Sequence, residues 1–162
     1  MIKNIVLVLG VVFMVGCGSS KVEEKQGMKK QTVKSTQYIT KGMQYLNQKE
    51  PIKAIQSFDM AIKANPSNPE NYLILGQVYL RLQNYQRAID TLGAAVRVDP
   101  TNPEIYYLLA TSRGLRWEEE DRVKSIDAAK KSIELFMQQK NQEKFQKAVV
   151  LLKGLTERAQ QK

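Results

Sequence analysis

Apolar residues along this chain return at intervals of three and four, and never alternate at intervals of two for more than a few residues. That spacing lays a stripe along one side of an α-helix, whose turn is about 3.6 residues, so the pattern predicts helices and no sheet. Tyr38, Gly42, Tyr45 and Leu46 form one stripe, and Tyr72, Leu75, Gly76, Tyr79 and Leu80 form the next. Prolines punctuate the stripes. Pro51 falls at a helix start, where its missing N–H costs nothing. Asn65-Pro66 and Asp99-Pro100 end helices, because a residue before proline is driven out of the α region. Pro69 and Pro103 open the helices that follow. The pattern thus predicts helices over 35–48, 51–64, 69–82, 85–98, 103–116 and about 121–137. A final helix over 141–160 has Asn141 as its N-cap and carries Phe145, Ala148, Val149, Leu152 and Leu155 on one face.

The stripes repeat with a fixed period. Tyr38, Tyr72 and Tyr106 are thirty-four residues apart, as are Gly42, Gly76 and Ala110, and Pro66 and Pro100. Self-similarity of this kind marks one helical unit stacked on copies of itself, each burying the apolar face its neighbour leaves open. Gly42 and Gly76 cost about 1 kcal/mol each as helix-interior glycines. Their repetition predicts that each lies in close contact with the following helix.

The first unit supplies Tyr38, Lys41, Gly42, Tyr45, Ala54, Phe58, Ala61 and Pro66; the second supplies Tyr72, Leu75, Gly76, Tyr79, Ala88, Leu92, Ala95 and Pro100. On these residues the chain resembles tetratricopeptide repeats, whose pattern is W-x₂-L-G-x₂-Y, A-x₃-F and a closing P. Lys41 stands where the family has Leu. The third unit begins with Tyr106, Leu109 and Ala110, then departs: Arg113 replaces the second aromatic, and Trp117 to Asp121 lengthen the turn by three residues. The resemblance implies an all-α solenoid of three helix pairs over 35–137 (35–68, 69–102 and 103–137), closed by a capping helix within 138–162.

It also implies a function. Family members bind partner proteins on a concave face lined by the first helix of each pair. The corresponding positions here are Ile39, Met43 and Leu46, then Leu73, Gln77 and Leu80, then Tyr107 and Thr111. Leu73 and Tyr107, one period apart, are the expected anchors for an apolar partner segment. Members that clasp a partner's C-terminal carboxylate use Lys, Asn and Arg, where this chain has Ile39, Met43 and Ile74. An apolar small ligand or lipid in the same groove is the alternative.

The amino terminus is of another kind. Lys3 precedes an apolar run from Ile5 to Val15, then Gly16 and Cys17. Eleven residues are too few for a bilayer span, which needs roughly 20, and suit a signal-peptide core over 1–16. Met14-Val15-Gly16-Cys17 resembles a bacterial lipobox, which implies cleavage and fatty-acyl (palmitate-type) modification of Cys17. Two or more acyl chains hold a protein stably on a membrane, at about 0.8 kcal/mol per buried CH₂. Gly18 follows the Cys; in a diderm host the resemblance then implies the outer membrane, facing the periplasm. Residues 17–34 are expected to be the lipidated Cys and a disordered tether, with Gly, Ser and mixed charge but little to bury.

Inventory narrows the chemistry. There is no His, and Cys17 is the single Cys, so a His base or a Cys/His metal cluster is excluded. No phosphate-cradling glycine loop, G-x-S-x-G or H-E-x-x-H occurs. Glu118 to Asp121 lacks the alternation and glycine of a calcium loop, and reads as a solvated turn whose last residue caps the next helix. The expectation is no enzyme, no cofactor and no metal. The net charge of +9 gathers at the ends: residues 18–37 have five Lys against two Glu, and 113–162 have twelve basic against eight acidic. No aromatics interleave the basic residues, so nucleic acid is not the expected partner. The chain reads as a membrane-anchored interaction scaffold or assembly factor of the cell envelope, similar to tetratricopeptide lipoproteins that pilot pilus or secretion machinery.

Overall fold

Seven helices follow one another in the computed structural model, which describes the backbone of residues 19–161 and the side chains of 29–161. They are α1 (Ser19–Asn47), α2 (Pro51–Ala64), α3 (Pro69–Arg81), α4 (Tyr85–Val98), α5 (Pro103–Arg116), α6 (Glu119–Gln138) and α7 (Gln142–Gln160). No strand occurs among the described residues. The signal-peptide and lipidation expectations at 1–16 and Cys17 fall outside them.

Local chemistry sets the helix ends. Asn68 and Asn102 accept hydrogen bonds from the backbone N–H of Glu70 and Glu104, Asn84 from Arg87 and Asn141 from Lys144. Each satisfies a donor that the first turn leaves free. Pro51, Pro69 and Pro103 occupy the first turns of α2, α3 and α5. Within each pair the turn passes through a left-handed residue: Lys49, Gln83 and Trp117, with φ of 60°, 56° and 56°. The thirty-four-residue period therefore extends to backbone conformation, despite the longer third turn. Tyr72 and Tyr106 repeat another detail, each donating its hydroxyl to the carbonyl of the proline six residues before it, Pro66 and Pro100.

The pairs α1–α2, α3–α4 and α5–α6 stack, and α7 packs on α6 and α5. Two apolar clusters result. Ala54, Phe58, Leu75, Val78, Tyr79 and Ala88 form the first; Leu92, Ala95, Ile105, Leu109, Ala129 and Leu155 anchor the second. Leu80 packs against both. The repeated glycines do lie at close contacts. A Cβ on Gly42 would stand 2.5 Å from the Phe58 ring, and one on Gly76 would stand 2.7 Å from Leu92.

Two expectations change. The first helix begins at Ser19 rather than 35, running through the segment expected to be a tether. Residues 19–34 contain no proline, one glycine, and mostly Lys, Glu, Gln and Met, which are good helix formers that a nucleated helix can propagate into. Its docked part starts near Thr32, whose hydroxyl accepts from Asn65 Nδ2 at 3.5 Å. Ser35 is buried and donates to Asn71 Oδ1 at 3.0 Å, while Asn71 Nδ2 donates to the carbonyls of Ala61 and Asn65. The second change is at the α5–α6 turn. Glu118, Glu119 and Glu120 are exposed as expected, but Asp121 is fully buried. It accepts from Arg116 Nε and Nη2 at 2.6 and 2.7 Å and from the Glu118 N–H at 3.2 Å.

Candidate functional site

The face made by the first helices α1, α3 and α5 is continued by α7, which lies beside α5 where a further first helix would stand. The eight residues expected to line this face separate by depth. Leu73 is buried at 4% exposure inside the second cluster, with Ile105 and Leu108. It is part of the wall between the second and third pairs and is not available to a partner. Ile39 and Leu46 are half-buried against the first cluster, and Leu80 against both. Tyr107 packs on the second cluster and stays half-exposed. Gln77 and Thr111 are half-exposed, the Thr111 hydroxyl donating back to the Tyr107 carbonyl. Met43 alone among the eight is exposed, at 43%.

Helical period explains the split. It assigns a residue to a face, but a stacked neighbour covers the flank of that face nearest to it. Leu73 sits on the flank toward α5, with Ile105 and Leu108, whereas Met43 stays exposed.

One cleft that the structure opens on this face includes, of those eight, only Thr111. A cleft of about 320 Å³ lies between α5 and α7, lined by Thr111, Gly114, Leu115, Val150, Gly154 and Arg158, among others. Leu115 and Val150 flank it at 50% and 70% exposure, which is unusual for large apolar groups in one place. Two glycines shape the cleft differently. Gly114 admits Leu155, whose Cδ2 would be 2.5 Å from an added Cβ, so α7 seats closely on α5. Gly154 meets nothing within 4 Å and leaves the cleft open. Sequence reasoning assigned 141–160 wholly to capping. The signal it passed over is Val150, an apolar residue off the Ala148/Leu155 face.

Polar contacts hold the cleft in shape. Arg158 donates to the Gly114 carbonyl at 2.7 Å, near the end of α5, and its guanidinium stacks over the Trp117 ring, 4.2 Å from the centroid. The cation thus meets both the negative end of the helix and an aromatic face. At the other end of α7, Lys144 pairs with Glu104 at 2.9 Å, beside a smaller recess of about 230 Å³ that includes Tyr107 and Phe136. Behind the cleft, the Arg116 fork holds the Asp121 carboxyl below its ordinary range. Burial opposes that shift, and the Glu118 N–H adds to it.

The carboxylate-clasping set is replaced by apolar groups: Ile39 and Ile74 are half-buried and Met43 exposed, with no cation among the three positions. No group of three or more acidic, His or Cys residues able to hold a metal occurs among the described residues. No helix among them is long and apolar enough to cross a membrane. The arrangement offers shape and apolar surface for binding.

Comparison with known proteins places this geometry. Residues 45–111 match the family model of the tetratricopeptide repeat. Among solved structures, the chain is similar to the TPR2B domain of yeast Sti1. That structure is a complex with pHsp70; the TM-score is 0.70 at 15% identity, covering 78% of this chain and 98% of that one. It is similar to PcrH, solved with the chaperone-binding region of PopD, with a TM-score of 0.66 at 17% identity over 90% and 99% of the two chains. The MamA protein gives a TM-score of 0.66 at 25% identity, covering 78% of this chain and 64% of that one. No curated protein matches the sequence.

Proposed function

Because this chain is built of tetratricopeptide repeats, we propose that it is a non-catalytic scaffold that holds an apolar segment of a partner protein on the face formed by α1, α3, α5 and α7. The observation carrying this is the cleft between Leu115 and Val150, two large apolar side chains left exposed on rigid helices. Central apolar anchors entering such a cleft dominate binding energy in protein interfaces. The similarity to repeats solved with bound peptides, in Sti1 and PcrH, supports the same use of the fold. A cleft open along one side suits a protein segment better than a small ligand, which a site normally encloses.

The scaffold works at a membrane in this proposal, anchored through acylated Cys17 in the bacterial envelope. What supports it is the charged start, the short apolar run and the small residue preceding a lone Cys. The part of α1 ahead of Thr32 then stands between anchor and repeats.

The test of the groove is Leu115→Glu together with Val150→Glu. Both residues are exposed, so helix content and melting temperature should stay as in wild type. Recovery of the wild-type partner by affinity purification from detergent-solubilised membranes should be lost. Unimpaired recovery would refute the groove. The test of the anchor is metabolic labelling with a fatty acid: wild type should incorporate label and fractionate with membranes, and Cys17→Ser should do neither. A soluble, unlabelled wild type would refute the envelope location.

A further inference from the structure

The third pair differs from the second on the side of α5 away from the groove. In the second pair, Tyr79 fills the space between α2, α3 and α4, buried at 6% exposure with the Arg87 guanidinium 5.8 Å from its ring centroid. Thirty-four residues later that position is Arg113. Where α2 carries Asp59, α4 carries Gly93, and a Cβ there would meet nothing within 4 Å. A cleft of about 390 Å³ lies at these positions between α4, α5 and α6; the first pair has a recess of about 290 Å³ at the matching residues, with Tyr45 in place of Arg113. Its apolar lining includes Val96, Leu109 and Ala128, and its charged groups are Arg113, Lys124, Lys131 and Asp127.

The charge inventory around it favours an anion. From α5 comes Arg113, whose Nε is buried without a hydrogen-bond partner. Its ionic contact, Asp121, lies 4.0 Å away and is already engaged by Arg116 and the Glu118 N–H. The Arg113 side chain as a whole keeps 24% exposure, so its remaining N–H groups are open to an acceptor that enters from outside. From α6 come Lys124 and Lys131, tethered to Glu120 and Glu134 on their own helix, and the acid Asp127. From α4 comes Arg97, which donates to the Gly93 carbonyl at the rim. Arg113 is the cation with spare donors, and a guanidinium fork matches a carboxylate.

We propose that this cleft is a second docking site, which takes a partner-protein segment presenting an acidic side chain next to an apolar one. The acid meets Arg113 and the apolar group covers Val96 and Leu109. A protein segment is the fitting occupant because the cleft is open to solvent, with Lys124 and Asp127 exposed at its edge. On a helix advancing about 100° per residue, Tyr106, Leu109 and Arg113 point away from Tyr107, Thr111 and Leu115. The two sites therefore use opposite sides of α5, and one scaffold can hold two partners at once. This rests on the reading of the chain as a protein-binding module, but on a separate surface.

The test titrates the full chain, purified in detergent, into a fluorescein-labelled peptide of alternating glutamate and leucine, followed by anisotropy. Saturable binding that weakens as NaCl is raised is expected. Arg113→Gln should weaken it about tenfold, the scale of one charge-assisted hydrogen bond. Gly93→Leu, which fills open space without altering charge, should weaken it as strongly and serves if the Arg113 variant fails to fold. A peptide with glutamine for glutamate should bind about tenfold less tightly. The Leu115→Glu, Val150→Glu double variant should bind the acidic peptide as wild type does, which separates this site from the groove. Equal binding of the glutamine peptide, or full binding by both cleft variants, would overturn the proposal. So would loss of binding in the groove variant, or displacement of the peptide by decanoate, which would make the occupant a small anionic amphiphile.

Discussion

A single missing Cβ does different work at different glycines in this fold. At Gly42 the Phe58 ring occupies the space, and Phe58 is completely buried with nowhere to retreat. At Gly93 the space is vacant. Alanine restores about 1 kcal/mol of helix propensity at either place, but overpacking a buried contact costs about 1–3 kcal/mol. Gly42→Ala should therefore lower the unfolding free energy by about 1 kcal/mol, and Gly93→Ala should raise it by about the same. Urea titration followed by circular dichroism checks both, and a shift of the same sign in the two would show that packing does not separate them. The contrast was half legible in the sequence. The period singled out Gly42 and Gly76, and Gly93 stood outside it. Leu73 shows the limit at this scale. Its place in the stripe gives a face, but burial at that place depends on how closely α5 packs alongside.

The α5–α6 turn was the least legible element, because it is where the repeat pattern breaks. Three inserted residues and an arginine for an aromatic announced a deviation without indicating its chemistry. The structure supplies a buried carboxylate, Asp121, held by Arg116 and facing Arg113. Breaking a buried pair typically costs about 3 kcal/mol, and without Asp121 the Arg116 guanidinium keeps only longer contacts, to Glu118 at 3.6 Å and Glu120 at 3.5 Å. Asp121→Asn should be destabilised by about that amount near neutral pH. The sign of the pH dependence follows from the depressed carboxyl. A group whose folded pKa lies below its unfolded value, about 3.9 for Asp, contributes stability above that value and loses it as pH falls through the folded one. The gap between wild type and variant should hold down to about pH 4 and narrow in stronger acid. A gap that instead widened toward low pH would contradict the pairing. The start of α1 is the second element that sequence placed wrongly. Its polar, charged composition suggests disorder, yet the same residues are good helix formers once α1 is nucleated against α2.

On the scale of the whole molecule, the period gave the architecture and the open ends gave the sites. Stacked repeats contact only their neighbours, so stability is a sum of unit and interface contributions, and cooperativity depends on the interfaces. Here the interface has an identifiable joint. The first cluster gathers α2, α3 and the start of α4; the second gathers Leu73 of α3 with α4 to α7; Leu80 on α3 packs against both. Truncating it removes apolar contact from two cores at once. Leu80→Ala should cost about 2 kcal/mol, the lower end of the leucine-to-alanine range, because Leu80 is half-buried. Its denaturant transition should also broaden, with a lower apparent slope, as the first pair unfolds ahead of the remainder. Leu92→Ala is the comparison, since Leu92 is buried in the second cluster alone and should lower the midpoint while leaving the slope unchanged. Equal slopes in the two variants would mean that helix contacts along α3 and α4 couple the halves without Leu80.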